Sequence, residues 1–196
     1  MQIQDHIQGL IFDCDGTLVD TLPLYKQAWV AALQRFGANP DADWFRTRSG
    51  LSEHLLMDDV DVHFGITLPR PEMLRLTREN LKASLHTLQE IGAVTAIARQ
   101  YHGRLKLAVA SSGSAGIVAA SLGVTGLTAL FDAVVTIEDV SHPKPAPDLF
   151  LEAARRLGLK PETCLVFEDS AQGLQAASRA GMAAVDINDL LPTESN

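Results

Sequence analysis

Cysteine is scarce in this sequence. Two cysteines, Cys14 and Cys164, occur among 196 residues. Each lies in or beside a short apolar run, so we expect two buried thiols in a reducing compartment, and neither a disulfide nor a metal pair. Cys14 is also flanked by two acids, and neighbouring negative charge raises the pKa of a thiol. Cys14 is therefore expected to be a poor nucleophile.

Basic residues and long apolar runs are also few. Lysine and arginine total 16 against 24 acids, which gives a net charge of −8. Nucleic-acid-binding proteins usually carry a basic face, so we expect no nucleic-acid partner. No apolar run approaches the length of a membrane span, and the first residues do not resemble a secretory signal. We expect a cytoplasmic, monomeric protein without membrane contact.

The apolar residues, 46% of the chain, are enough for a substantial core and follow two different patterns. Short apolar runs alternate with helical periodicity at the start and after residue 92, which predicts parallel strands joined by helices. Between residues 20 and 88 the periodicity is helical throughout. We predict an α/β fold with a Rossmann-like parallel sheet of about five strands and an inserted helical cap. The core comprises residues 1–17 and 89–196, and the cap comprises residues 18–88.

The element boundaries follow from the same patterns and from capping residues. Strands are predicted over 9–12, 105–110, 133–135, 164–167 and 183–187. Helices are predicted over 23–36, 53–64, 71–88, 93–101, 115–122, 149–157 and 171–180, with Ser52 as the cap of the second. A cap of short helices is the kind of lid that excludes water and selects substrates.

An acidic pair follows the first predicted strand. Asp13 and Asp15 come directly after it, and Gly16 ends the run. In open α/β sheets, ligands bind beyond the carboxyl ends of the strands. Two carboxylates this close repel each other unless a cation joins them or one keeps a proton, and both outcomes are useful in catalysis. A polar turn could equally explain the tetrapeptide Asp13–Gly16 by itself.

Polar residues also follow the second strand. Ser111, Ser112 and Gly113 offer hydroxyl and backbone N–H groups before a helix, a combination that suits an anion. A serine in this place could also simply cap the helix.

The last third of the chain contributes a lysine and two more acids. Lys144 lies in a proline-rich loop before a helix, where it could bind an anion or simply be solvated. Glu168 and Asp169 follow the fourth strand and could serve the site or the next helix, although Ser170 already supplies a cap. Four carboxylates at one crevice suit Mg²⁺ better than zinc.

The longer strings around these residues resemble the haloacid dehalogenase superfamily of phosphotransferases. The stretch 12–21, Phe-Asp-Cys-Asp-Gly-Thr-Leu-Val-Asp-Thr, resembles its motif I, and Ser111 resembles motif II. The string Lys-Pro-Ala-Pro-Asp at 144–148 resembles motif III. The string Val-Phe-Glu-Asp-Ser-x-x-Gly-x-x-Ala-Ala-x-x-Ala-Gly-Met at 166–182, which includes Gly173, resembles motif IV. The spacing looks most like the β-phosphoglucomutase-like branch, and the closing third resembles bacterial fructose-1-phosphate-type phosphatases.

This resemblance implies a role for each matching residue. It implies that Asp13 is the nucleophile and Asp15 the general acid and base, while Ser111 and Lys144 stabilise the phosphoryl oxygens. It also implies a cis Lys144–Pro145 bond. The expected Mg²⁺ ligands are Asp13, the backbone carbonyl of Asp15, Asp169, and Glu168 as a ligand or an outer partner. The expected substrate-binding residues are Ser112, Gly113 and Tyr25.

We therefore expect a Mg²⁺-dependent phosphatase whose partner is a small phosphorylated metabolite, such as fructose 1-phosphate. A β-phosphoglucomutase-type mutase is the alternative. Such mutases place an arginine in a cap loop of the form Gly-x-Ser-Arg and a histidine on the first cap helix, whereas this chain has Glu53 and Tyr25 there. Arg46 or Arg48 could substitute for that arginine. A third, less favoured hypothesis is a non-catalytic phosphate-binding regulator on the same fold.

Overall fold

A five-stranded parallel sheet organises the computed structural model, which describes residues 3–41, 44 and 53–191. The order across the sheet is β3-β2-β1-β4-β5, with β1 in the middle. The strands are β1 (Gly9–Phe12), β2 (Lys106–Ala110), β3 (Ala133–Val135), β4 (Cys164–Glu168) and β5 (Ala183–Asp186). The predicted α/β class with a Rossmann-like parallel sheet is confirmed.

Seven α-helices accompany the sheet within the described ranges. They are α1 (Leu22–Gln34), α2 (Glu53–Phe64), α3 (Arg70–Ser84), α4 (Gly92–Tyr101), α5 (Ala115–Val124), α6 (Asp148–Leu157) and α7 (Ala171–Arg179). Most predicted boundaries agree with the structure to within two residues, and the end of the third helix differs by four. The third helix ends at Ser84 and continues as a 3₁₀ turn over Leu85–Thr87, and the last strand gives way to a 3₁₀ turn at Ile187. The predicted cap residue Ser52 lies outside the described residues.

The register of the sheet brings the polar strand ends together. Gly9 pairs with Lys106 on one side and with Cys164 on the other, so the three central strands begin level and run in parallel. Phe12 lies beside Phe167, and their rings stack with centroids 4.7 Å apart. Because strands that start level also end level, the residues that follow β1, β2 and β4 emerge at one edge of the sheet.

Apolar burial holds this edge in place from one face of the sheet. Helix α6 buries Leu149, Phe150 and Ala153 against Ile11 and Val166 of the strands. Both cysteines are free and buried, as predicted. The pKa of the Cys14 thiol is raised chiefly by its burial and further by Asp15 and Asp13, so burial is the larger cause of its poor reactivity.

The chain divides into two compact units, Met1–Thr21 with Leu88–Asn196, and Leu22–Thr87. The first unit contains the sheet. The second contains α1, α2 and α3, which share an apolar cluster around Trp29, Leu33 and Met57. Among the residues that the structure describes, no helix is both long and apolar enough to cross a membrane.

Candidate active site

A crevice of about 220 Å³ opens in the first unit at the carboxyl ends of β1, β2 and β4. Eight of its ten lining residues are ones that the sequence singled out as site residues. The lining consists of Asp13, Asp15, Ser111, Ser112, Gly113, Lys144, Glu168, Asp169, Ser170 and Gln172. The structure therefore brings together residues that are up to 159 positions apart in the chain, from Asp13 to Gln172.

Lys144 joins two buried acids at the base of this crevice. Its Nζ donates to Asp13 Oδ1 at 2.5 Å and to Glu168 Oε2 at 2.7 Å. The Lys144 side chain is only 6% exposed, and those of Asp13 and Glu168 are 8% and 2% exposed. A solvated loop lysine would not be buried in this way, so the alternative of a merely solvated Lys144 is excluded. The Lys144–Pro145 peptide bond is cis, as the resemblance implied.

The charges of this group depend on one another. Burial raises the pKa of the Asp13 carboxyl well above its usual value, and the Lys144 charge opposes that rise. Burial by itself would lower the pKa of the Lys144 ammonium, but the charges of Asp13 and Glu168 outweigh it and raise the pKa. Lys144 is therefore a fixed positive charge at neutral pH, which is what an anionic substrate requires.

Asp15 lies beside this group in a different environment. Ser111 Oγ donates to Asp15 Oδ2 at 3.4 Å, and Asp15 Oδ1 is buried with no hydrogen-bond partner among the described residues. Burial raises the pKa of the Asp15 carboxyl, against the opposing effects of the Thr21 and Ser111 hydroxyls and the Lys144 charge. A raised pKa favours a protonated Asp15, the form that a general acid needs.

Ser111 does not cap the following helix. The N-cap position of α5 belongs to Ser114, and Ser111 Oγ instead accepts a hydrogen bond from the Gly113 N–H at 2.9 Å. The Ser111 hydroxyl is thereby turned toward Asp15 and the crevice, with Ser112 and Gly113 beside it. This arrangement favours the anion-binding interpretation of the three residues over simple helix capping.

Glu168 and Asp169 are held by their own neighbours. Glu168 Oε1 accepts from Ser170 N at 3.1 Å and from Ser170 Oγ at 2.7 Å, while Asp169 Oδ1 accepts from Thr17 Oγ1 at 3.0 Å. Ser170 is the N-cap of α7, since its side chain accepts from Gly173 N. The two acids are therefore not needed as caps, and both face the crevice.

Three carboxylates could hold a metal ion here. Asp13, Glu168 and Asp169 each offer an oxygen, and these oxygens lie within 4.8 Å of one another. An all-carboxylate set fits a hard divalent cation such as Mg²⁺ and suits zinc poorly. Burial, followed by the Glu168 charge, raises the pKa of the Asp169 carboxyl, which a bound cation would reverse. The donor chemistry therefore fits the Mg²⁺ that the sequence predicted.

Tyr25 is not among the residues that line the crevice. It lies on α1 in the second unit, partly buried against the apolar cluster there. Its predicted role in substrate binding stays a prediction.

Four residues that support the site were not predicted from the sequence. Ser170 fixes Glu168, Thr17 fixes Asp169, and Gln172 lines the crevice. Asn188 Nδ2 donates to the Asp169 backbone carbonyl at 2.9 Å. Thr17 and Ser170 lie inside the quoted motif strings, so a closer study of those strings could have found them. Asn188 carries no such signal, because its contact depends on how β5 returns to the sheet.

The sequence of the whole core matches a known family. A model of the haloacid dehalogenase-like hydrolase family covers residues 10–187, which includes every residue of the crevice. The chain belongs to this family. Its Escherichia coli relative, the fructose-1-phosphate phosphatase YqaB, is 36% identical over 179 residues, or 91% of this chain and 95% of YqaB.

Two further comparisons agree with this assignment. The 6-phosphogluconate phosphatase of Escherichia coli is 30% identical over 186 residues, and the alignment spans 90% of this chain and 80% of that phosphatase. A crystal structure of a candidate beta-phosphoglucomutase from Thermotoga maritima superposes with a TM-score of 0.77 at 30% identity, covering 90% of this chain and 82% of that one. The family and its named phosphatases identify the chain as a phosphatase of the haloacid dehalogenase-like class.

Proposed function

We propose that this phosphatase hydrolyses small sugar phosphates, such as fructose 1-phosphate, with Mg²⁺ as its cofactor and through an aspartyl-phosphate intermediate. The observation that carries the proposal is the buried Asp13 carboxylate, paired with Lys144 and surrounded by Glu168 and Asp169. The 36% identity to YqaB supports fructose 1-phosphate as the first substrate to test.

Charge explains why the site needs both a lysine and a cation. A phosphate monoester is a dianion, so a carboxylate nucleophile can approach it only where positive charge cancels the repulsion. The mechanism requires a protonated Asp15 and three ionised acids, and with Lys144 that state has a net charge of −2, obtained from three negative charges and one positive. When bound by Asp13, Glu168 and Asp169, Mg²⁺ would neutralise that charge and polarise the phosphoryl oxygens.

The reaction divides into two transfers of the phosphoryl group. An Asp13 carboxylate oxygen attacks phosphorus, the bond to the sugar oxygen breaks, and Asp15 gives its proton to that oxygen. Asp15 then takes a proton from a water molecule, which attacks phosphorus and releases phosphate and the free Asp13 carboxylate. Lys144, the Ser111 hydroxyl and the N–H groups near Ser112 stabilise the phosphoryl oxygens during both transfers.

The choice between a mutase and a phosphatase depends on the residues near the start of α2. A mutase must hold a bisphosphate and let it turn around, which requires a second cationic site. Residues 46, 48 and 50–52 and the side chain of Glu53 lie outside the described residues. The phosphatase proposal therefore rests on the acidic Glu53 in the sequence and on the phosphatase relatives.

One experiment separates these functions. A panel of sugar phosphates is incubated with Mg²⁺ and with EDTA, and both free phosphate and isomerised sugar phosphates are measured. Release of phosphate with Mg²⁺ but not with EDTA, and without formation of an isomer, supports the proposal. Isomer formation without net phosphate release would establish the mutase, and no turnover of any compound would favour the non-catalytic phosphate-binding protein.

A further inference from the structure

The Glu168 side chain occupies the space above the first turn of α7. A Cβ atom added to Gly173, which is buried in that turn, would lie 1.9 Å from Glu168 Cδ, 2.1 Å from Oε2 and 2.4 Å from Cγ. These distances are far below any van der Waals contact between heavy atoms. A side chain at position 173 and the present position of Glu168 therefore exclude each other.

The backbone does not explain this glycine. Gly173 is absent from the glycines with positive φ, so its conformation is open to any residue. Alanine is a better helix former than glycine, and helix stability by itself would therefore favour alanine here. The reason for glycine lies in the side chain that passes over it.

Burial and hydrogen bonds fix Glu168 in its present position. It is 1% exposed, Ser170 holds its Oε1, and Lys144 binds its Oε2. Gly173 takes part in this arrangement a second time, because its N–H donates to Ser170 Oγ at 3.0 Å. A displaced Glu168 would lose Lys144, and among the described residues Asp13 would be the one remaining ion-pair partner of Lys144.

We propose that Gly173 is a positioning residue, whose missing side chain allows Glu168 to hold Lys144 against Asp13. The proposal deepens the phosphatase function and rests on it for its kinetic readout. Gly173 does not touch substrate. It acts through Glu168, and a displacement of about 1 Å at a catalytic group costs about a hundredfold in rate.

The test is Gly173→Ala, with Gly116→Ala and Gly123→Ala as matched controls. The control glycines lie in α5, and an added Cβ would meet nothing within 4 Å at either. We expect Gly173→Ala to lower kcat for fructose 1-phosphate by about thirty- to a hundredfold with KM changed less than threefold. Both controls should keep kcat within twofold. A Gly173→Ala enzyme with normal kcat would overturn the proposal.

A double-mutant cycle covers the case in which Gly173→Ala is unstable. In a Glu168→Ala background the clashing atoms are gone, so adding Gly173→Ala should lower neither the thermal midpoint nor the residual kcat, and the better helix propensity of alanine should raise the midpoint slightly. An equal loss in both backgrounds would mean that Gly173 acts on the helix and not through Glu168.

A structural measurement keeps this proposal separate from the proposed function. In a crystal structure of Gly173→Ala, the distance from Glu168 Oε2 to Lys144 Nζ, now 2.7 Å, should exceed 3.5 Å. A distance unchanged from wild type would refute the positioning role. Failure of the whole sugar-phosphate panel would instead count against the phosphatase substrate class and leave this measurement valid.

Discussion

Removal of the Lys144 charge is the sharpest test of how this site is held together. In Lys144→Ala, the buried Asp13 and Glu168 carboxylates would face each other without the cation that now lies 2.5 Å and 2.7 Å away. Breaking a buried ion pair from one side costs about 3–5 kcal/mol of unfolding free energy. Protonation of one carboxylate limits that cost, because it removes the unpaired charge.

The upper limit of this loss in unfolding free energy can be calculated from the ordinary pKa of an aspartate. With an unfolded pKa near 3.9, keeping one carboxyl protonated costs about 4 kcal/mol at pH 7 and about 1.5 kcal/mol at pH 5. We therefore expect Lys144→Ala to lose about 3–4 kcal/mol of stability at pH 7 and about 1–2 kcal/mol at pH 5. The sign follows from linkage. Where the folded pKa of an acid is raised above its unfolded pKa, as for Asp13, the folded protein loses stability as the pH rises from the unfolded pKa toward the folded one.

The assay is urea unfolding in EDTA at pH 5 and pH 7, so that no metal ion compensates for the lost charge. Lys144→Met serves as a second variant that keeps the length of the side chain over the Phe150 ring, from whose centroid Nζ now lies 4.9 Å away. Lys160→Ala, at an exposed lysine, is the control. A loss below about 0.5 kcal/mol at pH 7, the size of an ordinary surface substitution, would refute the buried-pair reasoning. In saturating Mg²⁺, kcat should fall by about a hundredfold or more.

Three further predictions address the nucleophile, the metal and the second phosphate. Asp13→Asn should abolish phosphate release while circular dichroism stays native, because the nucleophile is lost and the shape is kept; activity within tenfold of wild type would contradict this role. Mg²⁺ should raise the Tm of the wild-type protein and leave the Tm of the Asp169→Asn variant unchanged, because the variant lacks one of the three carboxylate ligands. Equal Tm shifts in the two proteins would exclude Asp169 as a ligand. Glu53→Arg should strengthen inhibition by glucose 1,6-bisphosphate and fructose 1,6-bisphosphate about five- to a hundredfold, the effect of one charge reversal beside a second phosphate. Tight bisphosphate binding and mutase turnover in the wild-type protein, without a gain in the variant, would instead favour the mutase.

The sequence by itself determined the class of fold and the inventory of reactive groups. The apolar run Gly9–Phe12 and the helical periodicity after Leu22 are local signals. The structure has a strand at the first place and a helix at the second. The prediction that Asp13 and Glu168 share one edge also succeeded, because parallel neighbouring strands place their carboxyl ends together whatever the details of packing.

Only the tertiary structure decided how those groups pair. A lysine in a loop can be solvated or buried, and the choice for Lys144 depends on contacts 131 and 24 positions away, which no local pattern encodes. The same holds for Ser111, whose hydroxyl could have capped a helix but turns toward Asp15. It holds also for Gly173, because its place in the motif IV string does not reveal that Glu168 fills its side-chain space. Local sequence sets which elements form, whereas register and close packing across the sheet set which atoms meet.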